Sequence, residues 1–329
     1  MLPRPLFPAL AAARVLAAAL VLGACGSPRP LAPAPGPAPA APAAVPTSAT
    51  HYRAFADAGA LAAYLRYTPT AAPLVSAHRG GPAPGLPENS LAAFEYSLNF
   101  APALLECDIR RAADGTLVLL HDATLDRTTT GTGPVAAQTL AELRRHRLRA
   151  VAGGEPTPHR IPTLAEALAW AEGRAVLVLD VKRDVPPAEV VAEIRRARAE
   201  NRVVVVAYSL EALRDYAALA PELNYSAAVQ TPDDADALLA APLDHTRLIA
   251  WAGVGRADPG VVARMHAAGI RVQMGTFGTL DRAAQDPAAP DGPGVYAAAL
   301  QAGVDVLATD NVPGAAIAAQ REAQARARR

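Results

Sequence analysis

From Leu74 onward, short apolar runs alternate with helical stretches, and no other feature of the sequence limits the fold as much. The strand candidates are Leu74–Ala77, Leu104–Ile109, Thr116–Leu120, Val176–Val181, Val203–Ala207, Tyr225–Val229, Leu248–Trp251, Arg271–Met274 and Val306–Ala308. The clear helical stretches are Ser90–Asn99, Leu140–Arg149, Leu164–Glu172, Ala188–Glu200, Leu210–Leu219, Pro259–Ala268 and Val295–Gln301. Such alternation implies a mainly parallel sheet. The span from Leu74 to the end is close to the roughly 250 residues of a TIM (β/α)8 barrel, which is the expected fold. Nine candidates compete for eight places. Leu248–Trp251 is the least strand-like of them and is open to a loop reading. Periodicity alone leaves a doubly wound open sheet as the alternative.

The placement of polar residues favours the barrel. His78 and Arg79 follow the first candidate strand, and Glu106 and Asp108 lie on the second. His121 and Asp122 end the third, Asp180 and Lys182 end the fourth, and Thr309 and Asp310 follow the last. In a barrel these strand ends converge on one mouth, whereas an open sheet spreads them along an edge.

Those residue types suggest a chemistry. In Leu104-Leu105-Glu106-Cys107-Asp108 the period of two puts Glu106 and Asp108 on the same side of the strand. Two buried carboxylates side by side repel unless a positive charge lies between them, and hard Mg²⁺ or Ca²⁺ prefers oxygen ligands. An exposed acid pair on an edge strand is the plainer reading, which the apolar Leu104 and Leu105 oppose. Cys107 then points to the surrounding helices as a small buried residue. Asp180 and Lys182 repeat the same-face pattern, as a third ligand and an anion-facing ammonium or as a simple ion pair. His78 and His121 each sit at a strand end near acids, where imidazoles can act as general base and general acid. Gly80 and Gly81 let the chain turn tightly behind His78. A metal with Arg79 and Lys182 would stabilise the charge of a phosphodiester during displacement. His51, His146, His159, His245 and His266 are read as solvated or structural.

The first 73 residues stand apart. Arg4 and Arg14 precede an apolar run over Val15–Leu22, too short to span a bilayer and of the length of a secretory signal. Leu22-Gly23-Ala24-Cys25 resembles a bacterial lipoprotein signal, in which Cys25 carries the lipid; ordinary signal cleavage near Ala24 is the alternative. Residues 26–50, rich in proline and alanine, read as an extended spacer. Within residues 51–73 an amphipathic helix is expected to pack on the barrel formed by residues 74–329, with Phe55, Leu61, Tyr64 and Leu65 on its apolar face. The chain is thus expected outside the cytoplasmic membrane, attached through lipid alone. Only Cys107 then remains as a thiol, so there is no disulfide framework. Lys and Arg (31) balance Asp and Glu (31), which argues against a nucleic-acid partner.

Taken in order, the motifs resemble the glycerophosphodiester phosphodiesterase family. They are His78-Arg79-Gly80, Pro87-Glu88-Asn89-Ser90, Glu106-Cys107-Asp108, Asp114-Gly115 and the run from His121 through Arg127 to Gly133. Ile161-Pro162-Thr163-Leu164, Asp180-Val181-Lys182, Gly303-Val304-Asp305 and Thr309-Asp310 complete the series. The resemblance implies a TIM barrel and metal-dependent hydrolysis of glycerophosphodiesters to an alcohol and glycerol 3-phosphate. It implies His78 and His121 as the acid/base pair and Glu106, Asp108 and Asp180 as metal ligands. It places Arg79 and Lys182 on the phosphate, and Glu88 and Asn89 at the site edge. It further implies attack by the substrate's own glycerol hydroxyl and a cyclic phosphate that water opens. Two positions depart from the family pattern. Asp180 stands where many members carry glutamate, and Met274-Gly275-Thr276-Phe277 replaces a tryptophan-containing motif, with a long loop expected over Asp281–Gly294. The same site could serve lysophospholipids, and a surface lipoprotein that binds phosphodiesters without turnover is a third reading.

Overall fold

The computed structural model of the chain describes residues 51–150, 154–286, 292 and 294–328. The signal, Cys25 and the spacer lie outside the described residues. Nine strands form one sheet: β1 (Leu74–Ala77), β2 (Leu104–Arg111), β3 (Leu117–Leu119), β4 (Val176–Val181) and β5 (Val203–Ala207) come first. They are followed by β6 (Asn224–Ala228), β7 (Leu248–Val254), β8 (Arg271–Gly275) and β9 (Val306–Thr309). Eight of them run parallel in the order β1-β2-β4-β5-β6-β7-β8-β9, and β9 pairs back onto β1. This closes a TIM barrel and leaves no open sheet.

The surplus strand is not the one expected. Leu248–Val254 is a full barrel strand, paired with β6 and β8. It runs three residues beyond the Leu248–Trp251 candidate, through Ala252 and Gly253 to Val254. The extra strand is β3, which pairs antiparallel with β2. β2 runs on past its parallel pairing with β4, which stops at Ile109. The chain then turns at Asp114-Gly115, where Gly115 has φ of 85°, and β3 brings it back. An apolar run looks alike in a barrel strand and in such a hairpin, because side-chain period does not report the neighbour's direction.

Helices cover the barrel: α1 (Ala58–Leu65), α2 (Leu91–Ser97), α3 (Leu140–Leu143), α4 (Leu164–Ala171), α5 (Pro187–Arg196) and α6 (Leu210–Leu219). Then come α7 (Pro232–Leu239), α8 (Pro259–Ala267), α9 (Thr279–Gln285), α10 (Val295–Gln301) and α11 (Val312–Arg326). Several start at side-chain caps: Ser90 accepts from Ala93 N–H, and Thr163 and Thr231 form capping boxes with Glu166 and Asp234. The helix expected over Leu140–Arg149 keeps only its first turn. Beyond it the chain turns over residues 144–146 and then forms bridges Thr129↔Leu148 and Arg149↔Pro156, and an apolar cluster of Leu125, Val135, Leu143, Leu148 and Ile161 holds this excursion. The loop expected from Asp281 begins as helix α9.

The main core lies between barrel and helices; Cys107 is buried there, and burial pushes its thiol pKa well up, as befits an inert residue. A second cluster fills the N-terminal end of the barrel. Leu74, Leu104, Val176, Val204, Ile249 and Val306 meet Leu61 and Leu65 of α1, with Phe55 and Tyr64 beside them. The N-terminal helix therefore plugs the base. All active-site candidates lie at the other end.

Candidate active site

Backbone turns set the first histidine. Just after β1, Arg79 has φ of 52°, and Gly80 and Gly81 follow at 84° and 71°. A side chain at Gly80 would overlap the Phe94 ring, so the turn packs flat on α2. His78 is held from two sides. Its Nδ1 lies 2.8 Å from Asp310 Oδ1, and its ring stacks on Phe277 at 4.1 Å between centroids. Asp310 is steadied in turn by buried Asp281, whose Oδ2 accepts from Asp310 N–H at 2.7 Å and whose Oδ1 accepts from Thr309 and Tyr296 hydroxyls at 2.9 Å.

The second histidine arrives by the hairpin. Leu120 N–H bonds to Asp108 O at 3.0 Å, so β3 returns the chain to the level of Asp108. His121 Nδ1 lies 2.7 Å from Asp122 Oδ1. Arg127 clamps Asp122 at 2.7 and 3.0 Å and Glu88 at 2.9 Å from two nitrogens. Glu88 also accepts from Arg79 at 3.0 Å. Hydrogen bonds from Arg127 hold the Asp122 carboxyl well below its usual range, and His121 adds to the effect. Each imidazole thus has Nδ1 committed to a carboxylate, which leaves Nε2 to work.

Glu106, Asp108 and Asp180 come together as expected. One oxygen of each lies within 4.8 Å of the others. Arg79 N–H donates to Glu106 Oε2 at 2.6 Å. Asp108 is fixed by Asn89, which donates to its Oδ2 at 2.7 Å and accepts its backbone N–H at 2.9 Å. Asn89 was expected at the site edge; it is buried at 1 % exposure beneath Asp108, in left-handed backbone at φ 55°, a conformation asparagine tolerates better than most residues. Lys182 Nζ spans Asp108 Oδ1 at 2.6 Å and Asp180 Oδ2 at 2.7 Å. Burial works against charge on Asp108, but Lys182 outweighs it and keeps that carboxyl ionised. For Glu106 the balance is reversed: burial and the repulsion of Asp108 and Asp180 outweigh the Arg79 N–H and Lys182 and push its pKa well above the usual value. Three convergent carboxylates, one of them buried and repelled by the other two, fit a hard divalent cation.

Both histidines and two of the three carboxylates, Glu106 and Asp180, open on one cavity of about 310 Å³. His78, Arg79, Glu106, His121, Asp180 and Lys182 form its polar wall, and Tyr208, Trp251 and Phe277 its aromatic one. Two buried polar atoms on the polar side, Ser76 Oγ and Arg79 Nε, have no hydrogen-bond partner. Arg79 Nε faces Asp108 Oδ2 at 3.8 Å as an ion pair. The other histidines do not reach this cavity; His266, for example, pairs with Asp305 at 2.7 Å and stacks on Tyr67.

The model of the glycerophosphoryl diester phosphodiesterase family matches residues 78–313, from the first histidine to just past the last strand. The chain belongs to this family. A glycerophosphoryl diester phosphodiesterase from Parabacteroides distasonis has 30% sequence identity and a TM-score of 0.75, covering 82% of this chain and 94% of its own. A glycerophosphodiester phosphodiesterase of Caldanaerobacter subterraneus subsp. tengcongensis is 34% identical over 157 residues, 46% of this chain and 64% of that relative's length. The chain therefore spans somewhat under two thirds of that relative. An Oleispira antarctica phosphodiesterase, solved with the product sn-glycerol-3-phosphate, shares the fold at 23% identity and a TM-score of 0.56.

Sequence reasoning missed several residues that meet at this site. Tyr208 donates a hydrogen bond to Asp180 and follows β5 directly, so the strand-end rule that singled out His78 would have found it. Asp310 was noted as a strand-end residue without a role. Arg127 stood inside a quoted motif, but its clamp on Glu88 and Asp122 spans 39 residues of sequence and five, and no spacing announces it. Phe277, in the segment that departs from the family pattern, became the stacking surface for His78 and lies parallel to Trp251 at 6.2 Å.

Proposed function

We propose that this protein hydrolyses glycerophosphodiesters to an alcohol and sn-glycerol 3-phosphate. One observation carries the reading. Two imidazoles, each braced at Nδ1 by a carboxylate, line the same cavity as Glu106 and Asp180, with Asp108 buried beside those two carboxylates, in a barrel of the glycerophosphoryl diester phosphodiesterase family.

In this reading Glu106, Asp108 and Asp180 hold Mg²⁺ or Ca²⁺. When bound, the cation neutralises charge on the phosphoryl oxygens. Arg79 and Lys182, both on the cavity wall, bind the same phosphate. One imidazole takes the proton of the attacking glycerol hydroxyl at Nε2. The other returns a proton to the leaving alcohol oxygen. The cyclic phosphate so formed is opened by water as the two exchange roles. Asp310 and Asp122 hold each ring in orientation with its Nε2 free toward the cavity. Tyr208, Trp251 and Phe277 flank the leaving group, and a cavity of about 310 Å³ suits a headgroup better than an acyl chain. Deacylated substrates such as glycerophosphocholine are therefore favoured over lysophospholipids. Turnover of glycerophosphocholine and lysophosphatidylcholine, each with and without chelator, tests this. Cleavage of the first, lost on chelation, is expected; binding of both without cleavage of either, with metal present, would sink it.

We further propose export and attachment to the cell envelope through lipid on Cys25, which rests on the sequence of residues 1–25. Among the described residues no helix is long and apolar enough to cross a membrane. Fatty-acid labelling of the intact chain, abolished by Cys25→Ser, is the expected result.

A further inference from the structure

The base of the barrel carries a second and larger cleft, about 680 Å³, far from the residues of the mouth. Its walls come from the segment leading into β1, from Arg271 at the start of β8, and from Ala316, Ala319 and Ala323 of α11. Arg53, Arg66, Arg271 and His51 line it, and among the described residues no aspartate or glutamate does. Arg271 is the built element. It is 3 % exposed, and its Nε and one terminal nitrogen donate to the carbonyls of Arg66 at 3.1 Å and Ala72 at 2.8 Å. Carbonyls satisfy its hydrogen bonds but leave its charge unbalanced. Asp305, the acid that influences it, is already bonded to Arg326 and His266. Burial pushes its guanidinium pKa down, the mark of a cation short of an anion. Arg53 lies over the Tyr64 ring at 5.0 Å, and its backbone is pinned to Arg174 O at 2.8 Å, so its side chain is held at the cleft rather than free to swing away.

Apart from Tyr64, Thr68 and Gln320 the remaining lining is apolar, with Pro73, Phe100, Pro102 and the alanines of α11 prominent. Guanidiniums beside an apolar wall match a ligand that is anionic at one end and hydrocarbon at the other. A free phosphate would use only half of this surface. Residue 51, to which the Cys25-bearing segment is joined, stands on the rim of the same cleft.

We infer that the basal cleft docks the phosphate headgroup of an anionic phospholipid, with the first carbons of its chains against Phe100, Pro102 and α11. Seated this way, the barrel turns its mouth from the bilayer toward soluble diesters. The inference takes from the anchor reading only the nearness of a membrane, and nothing from the catalytic one.

The test uses the full lipidated chain in nanodiscs of phosphatidylcholine alone or with one third phosphatidylglycerol, read by amide hydrogen exchange. Segments 63–73 and 316–323 should exchange more slowly when phosphatidylglycerol is present, while the mouth is unchanged. Each arginine at an anionic surface is worth roughly a factor of five. Arg53→Gln with Arg66→Gln, both exposed and remote from the mouth, should therefore raise the phosphatidylglycerol requirement by roughly 30-fold in effective affinity. Turnover of glycerophosphocholine should be unaltered. Equal exchange in the two lipids, or protection that survives the double variant, overturns the inference. So does equal protection of these segments by inorganic phosphate in pure phosphatidylcholine, which would make the ligand a free anion. Failure to co-elute with nanodiscs of either kind would instead indict the anchor and remove the premise of a nearby bilayer.

Discussion

The two ends of this barrel are built from the same eight strands and have opposite characters. At the base, Leu74, Leu104, Val176, Val204, Ile249 and Val306 close over Leu61 and Leu65 of α1. At the mouth, those strands end in carboxylates, imidazoles and a lysine around a cavity. The mouth also carries two of the three non-glycine residues with left-handed backbone among the described residues, Arg79 and Asn89. Such conformations cost on the order of 1–3 kcal/mol each. Crowded carboxylates and unpartnered donors add to that cost. The lesson is a division of labour along the strand axis: the closed end stabilises, and the open end gives up stability to place charges.

The sharpest attack on this division is at the histidines. His78→Ala or His121→Ala should lower kcat by roughly 10²- to 10⁴-fold with the melting temperature nearly unchanged. Near-normal rates in both would remove the acid/base assignment. At the base, Leu61→Ala should destabilise by about 3 kcal/mol, while the molecules still folded at low temperature keep their kcat. A fall in kcat as large as the fall in stability would show that the two ends are coupled. Asp310→Asn should cost on the order of 10² in kcat, and little more in a chain already lacking His78, because the two act as one unit. Additive losses would separate them. Asp180→Asn should raise the metal concentration for half-maximal activity roughly tenfold or more; an unmoved titration would take Asp180 out of the ligand set.

The smallest effect is one of pH. The Asp122 carboxyl lies below its ordinary value of 3.8 in the folded chain, so it stabilises the fold fully above that value and less as pH falls below it. The melting-temperature gap between the native chain and Asp122→Asn should be constant from pH 7 to about 5 and close below pH 3.8. A gap that widens in acid would have the wrong sign for an Arg127-bound carboxylate.

Much of this was legible beforehand because strand period and strand ends are local properties. Glu106 and Asp108 had to share a face, and His78, Asp180 and Lys182 had to sit where apolar runs stop. The partners that tune these groups were not legible. Arg127 finds Glu88, and Asp281 finds the Thr309–Asp310 loop, only after the chain has closed on itself. The surplus strand was misplaced for the same reason, since β3 differs from a barrel strand only in the direction of its neighbour.

By itself, then, the amino-acid order determined the alternation of strand and helix, the same-face carboxylates and the histidines at strand ends, because each depends on residues a few positions apart. Only the tertiary structure decided that β2 would overshoot and return His121 to the rim by a hairpin. It also decided that Asn89 would be buried under Asp108 and that α1 would seal the base. Those outcomes depend on which distant segments meet, and closing a sheet into a barrel fixes that globally.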